Sequence, residues 1–156
     1  MAFFSSMNIV ASGMTAQQAR LDVISENITN INTTRTEDGG AYRRKITIMQ
    51  SETGRNGFRE ALSRAALEGK SVSNRRFEQA CGVKIVEIAE DEETEMPLIY
   101  DPSHPDANEE GYVEMPNITL VKEVTDAMAA SQAFSANVTA FNALKQVMQR
   151  GLDIGV

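Results

Sequence analysis

The sequence predicts a mainly α fold, with long N- and C-terminal helices pairing as a coiled-coil-like bundle around a small β-containing central insert. Three observations lead there. Large apolar residues recur every seven positions at both ends of the 156-residue chain, the period of helices that face a partner. No Pro or Gly interrupts the stretch from Ile118 to Arg150. Between the ends, short segments alternate apolar and polar residues as half-buried strands do.

At the N-terminal end, Met7, Met14, Leu21 and Ile28 form one heptad series. Val10, Gln17, Ile24 and Ile31 form a second, offset by three and broken only by Gln17. Ser5 or Ser6 is placed to cap this helix, and the Asn/Thr cluster after Asn27 ends it. Such a helix, Ser5 to Ile31, would be about 40 Å long. In the middle, RKITIMQ (Arg44 to Gln50) and VKIVEI (Val83 to Ile88) read as strands. PLIY (Pro97 to Tyr100) reads as a third, its proline restricting it to a strand start or edge. Phe58 to Glu68 carries one short amphipathic helix, with Phe58, Leu62, Ala65 and Ala66 on one face and Gly69 as its stop. At the C-terminal end, Leu120, Ala127, Phe134, Phe141 and Met148 lie seven apart. Val124, Ser131, Val138, Lys145 and Leu152 lie offset by three or four. Six alanines between 129 and 143 raise helix propensity and permit close approach of a neighbour. Two ordinary amphipathic helices of a globular bundle would show the same period; the length of both seams favours a terminal coiled coil. The expected division is 1–42, 43–116 and 117–156, with first and last segments forming one assembly domain.

Composition narrows the function. Leu, Ile, Val and Phe make up 35 residues, about 22%, little above the ~20% below which chains tend toward disorder. The core is therefore expected to be thin and completed on partners. A single cysteine, Cys81, excludes an internal disulfide, and one His with one Cys excludes a Cys/His zinc site within the chain. No apolar run nears the ~18 residues of a membrane span. MAFFSSMNIVASG has no basic region before its short apolar patch, so no cleaved signal peptide is expected.

The net charge of -7 is unevenly placed. Residues 1–84 hold twelve Lys/Arg against eight Asp/Glu, and residues 85–156 hold three against fourteen. Between Glu87 and Glu114 there are eleven acids and no base. That asymmetry fits an assembly in which one copy's basic face meets another's acidic face, or simply a solvated acidic loop. Basic residues this few and outweighed argue against nucleic acid as a partner.

Three motifs imitate chemistry without completing it. Asp106, Asn108, Glu110 and Gly111 repeat the first half of a calcium loop, but the bidentate Glu of its last position is Asn117, preceded by Pro116. Ser103, His104 and Asp106 are triad residue types, yet adjacency in sequence is not triad geometry, and His104 lies between Pro102 and Pro105. Four Asn-x-Ser/Thr sequons, at Asn27, Asn32, Asn117 and Asn137, read as chance. No enzyme, cofactor or metal follows from these residues.

One stretch is more specific. SENITNINTTRTEDGGAYRRK, Ser25 to Lys45, places Asn27, Asn30, Asn32, Thr33 and Thr34 at a helix end, where their side chains cap carbonyls and form turns. Gly39 and Gly40 then reverse the chain before Tyr42. This resembles the N-terminal signature of the bacterial flagellar rod and hook proteins. The run VKEVTDAMAASQAFSANVTAFNALKQV resembles their C-terminal signature, notably at Ser131, Phe134, Asn137 and Asn142. The spacer TEDGG and the segment YDPSHPDANEEGYVEMPNI narrow the resemblance to the basal-body rod proteins of the proximal rod. It covers residues 5–50 and 83–156; Ser51 to Cys81 looks longer and more basic than the family's usual connection.

The resemblance implies a non-catalytic subunit, exported unprocessed through the flagellar type III machinery and polymerised into the periplasm-spanning rod. Implied partners are copies of itself, sibling rod proteins and the protein joining the rod to the export apparatus. The residues expected to carry assembly are Met7, Met14, Leu21, Ile24, Ile28 and Ile31 on the first helix. Asn27, Asn30, Asn32, Thr33, Thr34 and Tyr42 follow at its end. On the last helix they are Val124, Ala127, Ser131, Phe134, Asn137, Val138, Phe141 and Met148. A second reading, without the resemblance, is a cytoplasmic coiled-coil adaptor forming a discrete oligomer.

Overall fold

The computed structural model describes residues 2–37, 39–53 and 80–154. Its elements run α1 (Ala2–Thr29), β1 (Lys45–Thr53), β2 (Ala80–Glu90), β3 (Leu98–Tyr100), β4 (Tyr112–Glu114) and α2 (Leu120–Ile154). The short helix expected at Phe58 to Glu68 lies outside the described residues. At 1.5 Å per residue, the 28 residues of α1 span about 42 Å and the 35 of α2 about 52 Å.

The two helices pack side by side and antiparallel. Gly13 of α1 faces Asn137 of α2, Arg20 pairs with Asp126, and Asn27 bonds Glu123. On α2 the inward face carries buried Glu123 and Ala130. Ala127, Phe134, Asn137, Phe141 and Leu144 are half-buried on that same face. The series 127, 134, 141 thus lies inward as the heptads indicate. Its companion is 123, 130, 137, 144 rather than 124, 131, 138, 145. Val124 is 44% exposed, Ser131 and Lys145 are exposed, and Val138 is half-buried. The reason is chemical: Glu123, Ala130 and Asn137 are charged, small and polar, so a pattern of large apolar residues passes over them. Leu120, Met148 and Leu152 are exposed as well.

α1 is covered on two sides, by α2 and by the β1–β2 hairpin, so its burial is not a single stripe. Ala16, Val23, Ile24 and Asn27 are buried. Met7, Val10, Met14, Gln17, Leu21 and Ile28 are half-buried. The hairpin approaches α1 closely at Gly82, where the Ser12 hydroxyl occupies the position a Cβ would take. Ser12 Oγ accepts a hydrogen bond there from the Val83 amide, 3.0 Å. The φ of Gly82 is +120°, a conformation that favours glycine. Two element ends differ from expectation. α1 begins at Ala2, so neither Ser5 nor Ser6 is its cap, and it stops at Thr29, leaving Asn30 and Ile31 in the following turn.

β1 and β2 pair antiparallel from Lys45↔Glu90 to Thr53↔Ala80, with an irregularity at Ile48/Met49 where Val86 is the extra residue. Both strands outrun the alternating segments because backbone pairing continues through Ser51, Glu52 and Thr53. β3 pairs with β4 through Leu98↔Glu114, Ile99↔Val113 and Tyr100↔Tyr112, and the two tyrosine rings meet edge to face. Three residues with one buried side chain, Val113, left β4 no alternation long enough to read. Among the described residues the buried apolar set is Ala16, Val23, Ile24, Tyr42, Val113 and Ala130. That is a thin core.

Candidate functional site

Where the end of α1, the start of β1 and the first turn of α2 meet, the interior is polar. Asn27 is fully buried and every hydrogen-bonding capacity of its amide is used. Its Nδ2 donates to the Lys45 carbonyl at 2.9 Å and to Glu123 Oε2 at 3.2 Å. Its Oδ1 accepts from the Lys45 amide at 2.9 Å and from the Tyr42 hydroxyl at 3.2 Å. One side chain on α1 therefore holds the first residue of β1 by both backbone groups.

Glu123 is also fully buried. A buried carboxylate is tolerable only when paired and hydrogen-bonded, and Arg44 Nε donates to its Oε1 at 2.6 Å. The Arg44 guanidinium lies 3.5 Å from Asp126 and 3.9 Å from Asp91, while Arg20 reaches Asp126 from α1 at 3.4 Å. The Arg44 backbone is clamped too: its amide donates to Asn117 Oδ1 at 2.8 Å, and its carbonyl accepts from the Asp91 amide at 2.8 Å. Asn117, buried, donates to the carbonyls of Asp91 and Thr94. The Thr94 hydroxyl and the amides beside it, with Arg44, hold the Asp91 carboxyl below the usual carboxylate range despite its desolvation. Burial, followed by the negative charge of Glu26, raises the Tyr42 phenol far above its ordinary value.

The turn after α1 is built to deliver Tyr42 into this node. Asn30 closes the helix twice, its amide and its Nδ2 both donating to the Glu26 carbonyl. Thr33 Oγ1 donates to Asn30 Oδ1, and the Thr33 carbonyl accepts the Tyr42 amide. Thr34 Oγ1 donates to Asp106 Oδ2 at 2.8 Å, with Arg35 beside it, which ties the turn to the β3–β4 loop. Gly39 and Gly40, at φ +85° and +88°, make the reversal.

The chain is 38% identical over 159 residues to the flagellar basal-body rod protein FlgC of Bacillus subtilis, covering 99% of each chain. It belongs to the flagellar basal-body rod protein family. FlgC of Borreliella burgdorferi is 37% identical over 99% of this chain and 98% of its own. FlgC of Escherichia coli O157:H7 is 31% identical over 99% of both. The family profile "Flagella basal body rod protein" matches residues 7–35, and "Flagellar basal body rod FlgEFG protein C-terminal" matches 109–154. Both matched ends enter the node, Asn27 from the first and Glu123 from the second. This rod-family chain is a structural subunit and not an enzyme.

The geometry of this rod protein suits bracing. A cleft of about 310 Å³ beside the node is lined by Val23, Ile24, Ile46 and Met49, with Arg20, Arg44, Glu123 and Asp126 at its polar side. Among the described residues no group of three or more His, Cys, Asp or Glu is placed to hold a metal. No helix among them is long and apolar enough to cross a membrane. The calcium-like segment is occupied with turn-making: Asn108 Oδ1 accepts from the amides of Glu110 and Tyr112, and Asp106 holds Thr34. Ser103 bonds Asp101, and His104 Nδ1 accepts the Asp106 amide.

Of the residues read as assembly determinants, the structure gathers Asn27, Asn30, Thr33, Thr34 and Tyr42 around one junction. Ile24 is buried nearby. Asn32 is exposed and stands outside the network. Met7, Met14, Leu21, Ile28, Ala127, Phe134, Asn137 and Phe141 are half-buried along the helix pair, and Ile31 and Val138 are half-buried as well. Val124, Ser131 and Met148 are exposed. Sequence reasoning missed Arg44, Asp91, Asn117, Glu123 and Asp126. The available signal was Glu123 itself, an acid in the first turn of a helix where the dipole favours it.

Proposed function

We propose that this chain is a proximal-rod subunit that polymerises through its two terminal helices, in coiled-coil-like contact, into the shaft that carries torque to the hook. Segments 1–42 and 117–156 serve as the assembly domain and 43–116 as the insert. The chain leaves the cytoplasm unprocessed by the flagellar type III route and reaches the periplasm-spanning rod. There it meets copies of itself, sibling rod proteins and the protein joining rod to export apparatus. No cofactor or nucleic acid enters.

The observation that carries this reading is the placement of apolar surface. Beside six buried apolar residues, sixteen large ones among the described residues are exposed. They include Val121, Val124 and Met128 on one side of α2, at 76%, 44% and 69%, and Val147 and Leu152 near its end. A helix pair that leaves this much apolar surface in water is finished by neighbours. The relatives give the cytoplasmic adaptor reading no support. The test is direct: deleting the chain abolishes motility, and purified basal bodies from complemented cells contain it. A chain absent from basal bodies refutes the proposal.

A further inference from the structure

The face along which α1 and α2 meet has little to choose one alignment over another. Besides the Arg20–Asp126 pair, it carries small residues, Gly13 and Ala16 on α1 and Ala127, Ala130 and Ala133 on α2. Its two aromatics, Phe134 and Phe141, are themselves one heptad apart. Sliding α2 by seven residues, about 10.5 Å, brings Phe134 to the place of Phe141 and Ala127 to that of Phe134. Ala130 then takes the place of Asn137 and the second ring position is kept, while the first loses its ring to Ala127.

The polar node does not repeat. Seven residues beyond Glu123 stands Ala130, and seven before it Pro116; seven before Asn27 stands Arg20. In either slipped alignment Glu123 loses both Asn27 and Arg44, the bonds that satisfy its fully buried carboxylate; in one of them it comes opposite Arg20, which has then left Asp126. Asn27 loses its fourth bond as well. Arg44 does not follow, because its carbonyl is fixed to Asp91 just after β2; its amide bond to Asn117, three residues before α2, is lost with the slide. Its reference point therefore lies outside the helices. Breaking a buried charge pair is strongly destabilising, and a single buried polar contact is the best-attested device for fixing helix register.

We propose that Asn27, Arg44 and Glu123 form a register lock that sets the height of α2 against α1. The far end shows the consequence. Residues 145–153 of α2 are exposed without exception; Val147 and Met148 lie level with the start of α1, and Leu152 lies past it. The lock, near residue 123, decides how much of this end projects. Only the use of the projecting end, as contact for the next subunit, rests on the rod reading; the register is a property of the chain itself.

The test uses the purified full chain with Cys81→Ser throughout. The pair Gly13→Cys/Asn137→Cys reports the native register. Gly13→Cys with Ala130→Cys or with Leu144→Cys reports a slip of one heptad either way. With the lock intact, disulfide yield at 13–137 exceeds either slipped pair at least tenfold. In Asn27→Leu/Arg44→Leu/Glu123→Leu that preference falls to threefold or less while helical circular dichroism persists. In Phe134→Leu/Phe141→Leu, which leaves the lock alone, it stays tenfold. An undiminished preference in the lock variant overturns the proposal, and so does a lost preference in the seam variant. Should the lock variant lose its helices, Glu123→Gln and the seam variant decide: the proposal stands if Glu123→Gln lowers the preference and the seam variant keeps it, and falls otherwise. Basal-body content is scored separately, so a failed register and a failed rod assignment give different results.

Discussion

Replacing Asn27 by Ala removes four hydrogen bonds at once and leaves their partners where water reaches poorly. The Lys45 amide and carbonyl, the Tyr42 hydroxyl and Glu123 Oε2 each lose a partner at 2.9 to 3.2 Å. A typical intramolecular bond contributes about 1 kcal/mol net, and an orphaned buried group costs about 1–3 kcal/mol. Four bonds at the low end give about 4 kcal/mol. Alanine's better helix propensity returns about 0.6 kcal/mol, leaving a loss of about 3 kcal/mol. Against a total stability of about 5–15 kcal/mol that is a large fraction. Urea denaturation followed by circular dichroism is the assay. With a slope of about 2 kcal/mol per molar, the midpoint falls by about 1.5 M at unchanged slope. A fall under about 0.3 M would mean that the node is not the junction described here.

Other expectations follow from the same contacts. Gly82→Ala drives a Cβ into the Ser12 hydroxyl at φ +120°, so it destabilises by about 3 kcal/mol or more, and adding Ser12→Ala restores only part of this because the backbone strain remains. Gly13→Ala meets only the end of the Asn137 side chain, at 2.9 Å, and gains about 1 kcal/mol of helix propensity, so thermal melting should place it within about 1 kcal/mol of the parent. Because the folded Tyr42 phenol titrates far above its unfolded value, its contribution is complete below about pH 10 and is lost as pH rises further; Tyr42→Phe should flatten the alkaline slope of stability. Asp91 is shifted the other way: its contribution is present above about pH 4 and lost on acidification, and Thr94→Val, removing the foremost cause, should move acid unfolding to higher pH.

How much of this was legible in the sequence differs from element to element. The long helices were readable because heptads of large apolar residues announce themselves, and Phe134 and Phe141 do lie on the inward face. The exact face of α2 was not, because Glu123 and Asn137 face inward and only their partners make that affordable. Arg44 lay inside a segment read as a strand, and nothing local shows that its guanidinium turns to an acid 79 positions away. Asn27, Asn30, Thr33 and Thr34 were visible as turn-formers and as a family signature. That Asn27 saturates its amide on β1 and α2 is a tertiary fact. Asn117 reads in the sequence as the wrong ligand at the end of a calcium-like loop and as a sequon, and nothing local shows that it holds the Arg44 amide.

The central claim is that the terminal helices carry this chain into the rod. The measurement that tests it is the content of basal bodies from cells making Phe134→Asp/Phe141→Asp in place of the parent chain. Both rings lie half-buried along the helix pair, and aromatics bury roughly 150–250 Å² each, so two carboxylates there remove that burial and put charge into packed surface. On the proposed export route the chain travels unfolded, so the substitutions leave that step unchanged. The account predicts that the variant reaches the medium in parental amounts, that it is absent from isolated rods, and that the cells do not swim. Parental amounts of the variant in isolated rods would contradict it.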